Sequence, residues 1–322
     1  MAGAIDYAGL FPPARLPLTE AWKNHLAYLE SPHSWMLARF VIPATKLADL
    51  STLLGYSIES DEPSDDGTGP VAPKPWPAHV RLTVLNQFSR DLEQWAAQWL
   101  QDCNAIARFQ KRHHLMLDVF EVKLPAANQA NLCMPHVDGG KCFLEISDAA
   151  QWRTELPAHL DAITAQVREH RPLALDLGYK LRTGGLEAAA FPSCVQVATT
   201  IIACRNARVM WKATAGLHHP VRHLDAGLNT WMHGFLNILF ADVLAHVHRL
   251  DVSRVEAIIS DEDPSHFKFV PEQIMWTGPG GPLAADKFEI AEVRQKSLQS
   301  FGCCSFDDPL EGLRKLGLSL EN

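Results

Sequence analysis

The chain has 322 residues, 47% of them hydrophobic and 20% charged, which excludes a disordered or fibrous protein and leaves ample apolar material for a large core. Its formal charge of −8, with no run of Lys and Arg interleaved with aromatics, offers no field to a polyanion and excludes nucleic acid as an expected partner.

Apolar runs of strand length recur along the chain, and helical periodicity follows nearly every one. The opening residues lack the basic start and long apolar stretch of a signal peptide. They read as a strand over 5–11 and a helix over 19–29. A second strand is expected at 36–42, and the Pro-, Asp-, Ser- and Gly-rich stretch 57–78 reads as a flexible surface insertion. Strands follow at 80–85, 115–122, 142–146, 173–181 and 208–213, with helices at 92–109, 149–169 and 194–204. The helix expected over 230–248 repeats Phe235, Leu239, Val243 and Val247 on one stripe. His233, Asn237, Asp242 and His246 interrupt this apolar segment, so it reads as a buried helix and no membrane partner is expected. An eighth strand is expected at 255–260, which leaves 264–322 as a C-terminal extension, an added layer or a lid.

Alternating β and α with nearly continuous apolar strands predicts a parallel sheet covered on both faces. Eight repeats predict an α/β fold of the (β/α)8 TIM-barrel type, with 1–322 as a single domain. A doubly wound sheet is the competing architecture, but no Gly-x-Gly-x-x-Gly follows the first strand. The seven cysteines, odd in number and without a Cys-x-x-Cys pair, read as reduced thiols of a cytoplasmic protein without structural zinc.

In such barrels the chemistry sits where strands run into the following loops. The expected strand ends carry Asp6, Asn86, Glu121, Lys123, Glu145, Lys180, Arg182, Lys212 and Thr214, with Asp261, Glu262 and Asp263 after the expected eighth strand. Lys180 and Arg182 stand two apart and share a face, as do Glu121 and Lys123. A lysine becomes a nucleophile toward carbonyls when a neighbouring cation or a dry pocket lowers its pKa, and Lys180, Arg182 and Lys212 would supply that neighbourhood. Arg182-Thr183-Gly184-Gly185 reads either as a tight turn that needs glycine at positive φ or as an anion cradle near a helix start.

The histidines of the following loop, His218 and His219, are candidates for proton transfer, with Glu145. His219 and His223 stand four apart, but Pro220 between them argues against a helical metal pair, and no metal ligand is assigned. His233 and Asn237, placed in the first turns of the next helix, read as substrate contacts or as a buried polar pair. His113 and His114 precede a strand and read as structural. Segment 300–306, with adjacent Cys303 and Cys304, reads as a buried late strand or a lid. A catalytic cysteine would need an electropositive setting.

Lysines on successive strands resemble the pair in class I aldolases of the deoxyribose-phosphate type, similar barrels with a Schiff-base lysine on strand six and a second lysine on strand seven. That resemblance implies Lys180 as the Schiff-base lysine and Lys212 as its partner. The wording Lys-Ala-Thr-Ala-Gly at 212–216, loosely similar to that family's lysine strand, falls here on strand seven. More of the chain resembles a bacterial family through Lys-Ala-Thr-Ala-Gly-Leu-His-His-Pro at 212–220, His-Gly-Phe-Leu-Asn at 233–237, Arg-Thr-Gly-Gly at 182–185 and Ser-Phe-Gly-Cys-Cys-Ser-Phe at 300–306; this second resemblance implies no reaction.

The expectation is therefore an aldolase- or lyase-like enzyme for a small anionic carbonyl compound, needing no cofactor, with homo-oligomers left open. Lys212 or Lys180 would be the nucleophile, His218, His219 or Glu145 would move protons, and Arg182, Thr183, Gly184, Gly185, Thr214, His233 and Asn237 would contact substrate. A metal-dependent hydrolase or isomerase using His219, His223 and His233, and a barrel that binds an anionic ligand without chemistry, are the alternatives.

Overall fold

The computed structural model describes residues 1–55, 80–113, 117–126, 129, 140–146, 149–169 and 176–318. The insertion expected at 57–78 and His114 lie outside the described residues. The elements run β1 (Ile5–Tyr7), α1 (Leu18–Leu29), β2 (Leu37–Pro43), α2 (Leu47–Leu53), β3 (Leu82–Leu85), α3 (Leu92–His113), β4 (Val119–Lys123), β5 (Lys141–Glu145), α4 (Trp152–Glu169), β6 (Asp176–Arg182), α5 (Cys194–Ala207) and β7 (Met210–Thr214). The chain continues as β8 (His223–Asp225), β9 (Thr230–Met232), α6 (Phe235–Val247), α7 (Val252–Ile259), β10 (Phe267–Val270), β11 (Gln273–Trp276), β12 (Leu283–Asp286), α8 (Lys287–Lys296), β13 (Leu298–Cys303) and α9 (Asp307–Lys315).

Eight of these strands close a parallel barrel in the order β1-β13-β7-β6-β5-β4-β3-β2, the TIM-type architecture expected from the βα alternation. Alternation within each strand separates interior from helix-facing positions. On β6, Tyr179 points out to meet His159 of α4 edge-on, so Lys180 points in. On β7, Trp211 points out and donates its indole N–H to Asp242 Oδ1 on α6 (2.9 Å), so Lys212 points in. Phe235, Leu239 and Val243 of the stripe predicted on α6 are buried, as is most of that helix, and Val247 at its end is half-buried.

Three expectations are corrected. Residues 255–259 belong to helix α7 and Ser260 ends it: Val252, Val255, Ile258 and Ile259 make a helical stripe, and Asp251 caps it by accepting the Arg254 N–H. The eighth barrel strand is β13, preceded by α8 with an Asp286–Glu289 capping box, so the expected C-terminal extension completes the barrel. The helix expected from 230 begins at Phe235, because Thr230–Met232 pairs with His223–Asp225 in a hairpin. His233 therefore precedes the helix, and Asp261, Glu262 and Asp263 follow a helix rather than a barrel strand.

Candidate active site

Strand register brings the charged residues to one level of the barrel. Lys180 is the cross-strand partner of both Glu145 on β5 and Lys212 on β7, and Lys123 on β4 pairs with Glu145. Glu121, two residues before Lys123, faces the same interior. The side chains link into a chain of alternating charge. Lys212 Nζ contacts Asp6 Oδ2 and Glu121 Oε1, while Lys180 Nζ lies 2.7 Å from Glu121 Oε2 and 2.8 Å from Glu145 Oε2. Lys123 lies 3.4 Å and Arg182 3.9 Å from Glu145 at its outer end. Ser300 on β13 donates its hydroxyl to Asp6 Oδ2 at 2.6 Å, closing the inner end.

One carboxylate thus bridges the two lysines. Burial alone would raise the Glu121 carboxyl, but the Lys180 and Lys212 ammonium groups outweigh it and hold the group down at about 2. Burial opposes charge on Lys180 as well; Glu121 and Glu145 outweigh it and raise that amine above its ordinary value. The Glu145 carboxyl is lowered, against its own burial, chiefly by Lys180 and Lys123. The expectation that neighbouring cations depress the lysine pKa is therefore reversed, because carboxylates stand between the cations.

A cavity of about 420 Å³ opens at the C-terminal ends of the strands, and its lining includes Glu121, Lys180, Arg182, Thr214, His218 and Cys304. Its apolar wall includes Phe11, Leu186, Phe191, Leu228 and Met232. Lys180 reaches this cavity; Lys212, fully buried, does not line it. Glu145 also stays outside the lining and holds Lys180 from the far side. Arg182 is half exposed at the mouth, steadied by donating its Nε–H to the Gly184 carbonyl at 3.1 Å.

Arg182-Thr183-Gly184-Gly185 takes neither of the forms expected of it, a turn at positive φ or the start of a helix. Gly184 and Gly185 do not adopt positive φ. A Cβ on Gly184 would come within 2.9 Å of the Gly216 Cα and 2.8 Å of the Phe191 ring, so glycine is needed there for the close approach of the β6 and β7 loops. Helix α5 begins only at Cys194, capped by Ser193, and does not start at these glycines. Thr183 spends its hydroxyl on the Thr214 and Ala215 carbonyls, at 3.0 and 2.6 Å, stitching the two strand ends together.

His218 faces the cavity with its Nδ1 2.8 Å from Asp308 Oδ2, and burial, which would lower its pKa, is outweighed by Asp308 and the Cys303 and Cys304 sulfurs, which raise it. His219 does not line the cavity; it packs edge-on against His223 with ring centroids 4.2 Å apart. His233 turns its Nε2 to the Pro192 carbonyl at 2.7 Å, and Asn237 bonds the Arg222 N–H and the Ile258 and Asp261 carbonyls, so both are structural. Among the described residues no group of three or more His, Cys, Asp or Glu is arranged to hold a metal ion. Asn86 accepts the Lys123 N–H at 2.8 Å, and Asp261 accepts the Trp276 indole N–H at 2.7 Å, each serving its local fold. His113 is structural as expected, 2.8 Å from the Ser51 hydroxyl.

Sequence reasoning placed Asp6 and Glu121 among the strand-end residues but left Ser300, Cys304 and Asp308 out of the site. The pattern that would have found the last three is the capping box at 286–289 followed by an apolar strand, which marks 298–303 as the eighth βα unit.

Fold and cavity together define a (β/α)8 barrel with an ion-paired lysine at the mouth of its strands. No family model, curated protein or solved structure matches this chain.

Proposed function

We propose that the protein is an enzyme acting on a small anionic carbonyl compound, aldolase- or lyase-like, through Lys180 as a Schiff-base lysine. The observation that carries this reading is the Lys180 amine on the wall of a partly apolar cavity, held between two carboxylates with Arg182 at the entrance. The guanidinium would take the anionic group of the substrate and aim its carbonyl at Lys180.

Water expelled by the substrate makes the charged Lys180–Glu121 pair less favourable, so the proton passes from Nζ to Glu121, which lines the cavity, leaving a neutral amine and a neutral acid. The amine adds to the carbonyl carbon and Glu121 gives its proton to the oxygen; Glu121 then takes a second proton from the nitrogen and passes it to the new hydroxyl, which leaves as water as the iminium forms. This iminium carries its positive charge where the ammonium did, so Glu121 and Glu145 stabilise it equally. It then withdraws electrons from the bond to be broken or formed. Lys212 is a positioning residue that fixes Glu121 from below. The chemistry needs no cofactor.

The test is borohydride reduction in the presence of pyruvate or dihydroxyacetone phosphate, followed by peptide mass mapping. A reduced adduct on Lys180 is expected, lost in Lys180→Arg; absence of any lysine adduct across both probes overturns the reading. The raised Lys180 pKa favours one other mechanism, in which the ammonium polarises the carbonyl while Glu121 removes the adjacent proton. That mechanism gives substrate deuterium exchange in heavy water without a trapped adduct, and Lys180→Arg retains it.

A further inference from the structure

The same cavity wall carries a second constellation that the lysine chemistry does not use. Cys304 follows β13 and lines the cavity, His218 comes from the loop after β7, and Asp308 lies in the first turn of α9. Cys304 Sγ stands 3.7 Å from His218 Nε2, and His218 Nδ1 stands 2.8 Å from Asp308 Oδ2. Asp308 is itself oriented: its Oδ1 accepts the Ser305 hydroxyl at 2.8 Å, and its N–H donates back to the Ser305 oxygen at 3.1 Å. Nucleophile, base and orienting carboxylate thus stand in series, the order that activates a thiol.

Cys303 is the natural rival, and its position sets it aside. Its sulfur lies 3.6 Å from His218 Nδ1, the nitrogen already engaged by Asp308, and it does not line the cavity. Cys304 meets the free nitrogen, Nε2, and faces open space. A sulfur-to-nitrogen separation of this length shortens once a ligand fills the site, as resting catalytic contacts commonly do.

We propose that Cys304, His218 and Asp308 form a nucleophilic thiol site that accepts the acyl group of a small ester or thioester. Cys304 and His218 react as a thiolate–imidazolium pair, with the proton on His218 Nε2, and Sγ attacks the acyl carbon. The C–O or C–S bond to the leaving group breaks, and His218 protonates the departing alcohol or thiol. Water then attacks the thioester, giving a proton to His218; the acid departs, Sγ leaves as the thiolate and the proton stays on His218 Nε2. The sum is ester plus water giving acid plus alcohol, with no redox change. Phe11, Leu186, Phe191, Leu228 and Met232 offer the acyl chain an apolar wall, and Arg182 holds a carboxylate or phosphate on the far end.

The site shares its cavity with the proposed Schiff-base reaction but not its nucleophile, so the two readings fail separately. The probe is p-nitrophenyl acetate with the full-length protein, read as a burst of nitrophenolate and by peptide mapping after acid quench. A stoichiometric burst with acetyl on Cys304 is expected. His218→Asn is expected to slow acylation about 100-fold, and Cys304→Ala to abolish the burst, while Cys303→Ala keeps it. Thermal melts establish that each variant is folded; should Cys304→Ala not fold, the map of the unaltered protein decides. Acetyl only on lysines or on Cys303, or no adduct at all, overturns the proposal.

Discussion

At the scale of single residues, the decisive fact is that each buried charge in the barrel is someone else's counterion. Lys212 has no contact with bulk water and serves two carboxylates, Asp6 and Glu121. Replacing it by Met leaves two buried carboxylates short of a partner, and stability is expected to fall by about 3–5 kcal/mol, measured by urea unfolding. A loss under about 1 kcal/mol would mean that the network is not held in its charged form. His25 makes the opposite case. It is fully buried among Tyr7, Trp22 and Phe40, neither ring nitrogen has a hydrogen-bond partner among the described residues, and burial pushes its pKa down to about 3. His25→Leu removes that unpaired polar surface, so a gain of about 1 kcal/mol is expected in the same unfolding assay. The residue types at the site were legible in the sequence, since polar side chains at strand ends stand out. Their pairing was not: whether Lys180 meets a cation or a carboxylate depends on the register between strands distant in the chain, which no local pattern records.

Among the elements, helices and strands with strong periodicity were readable, and the errors fell where a short apolar run suits either state. Residues 252–259 carry enough Val and Ile to read as a strand, and only the Asp251 cap and the three-to-four spacing mark a helix. The cost of that misreading was the eighth strand, and with it Ser300, Cys304 and Asp308. Packing between elements is held at one buried point. Asp242 on α6 accepts the Trp211 indole N–H from β7, the hydroxyl of Ser297 between α8 and β13 at 2.7 Å, and the Leu298 N–H at 3.2 Å from β13. Three donors lose this acceptor in Asp242→Ala. A destabilisation of about 3 kcal/mol is expected by thermal unfolding, with the burst and trapping sites intact if the barrel still closes. Gly178 on β6 is a second tight point, because a Cβ there would lie 2.7 Å from the Phe143 ring and 2.8 Å from the Met210 carbonyl. Gly178→Ala should therefore lower the melting temperature, since the Met210 contact is with backbone that cannot rotate away.

For the whole molecule, the buried charges set the response to acid. Glu121 titrates near the ordinary carboxylate value of 4.5 when unfolded and at about 2 when folded, so its contribution is complete above 4.5 and disappears as pH falls toward 2. Its folded value is depressed, so protons favour the unfolded chain. Glu121→Gln is expected to be less stable at neutral pH yet to show a shallower loss between pH 4.5 and 2, read from unfolding midpoints across that range. Parallel slopes for the two proteins would place the acid sensitivity elsewhere.

The barrel seam lies between β1, at residues 5–7, and β13, at residues 298–303, with Ser300 reaching Asp6 across it. During synthesis the first stave must wait until residues 298–303 have been made before its neighbour emerges from the ribosome. Until then, two open edges and a half-assembled ladder of ions face solvent. Stalled nascent chains ending before 298 should stay protease-sensitive throughout, and resistance should arrive in one step once 303 clears the exit tunnel.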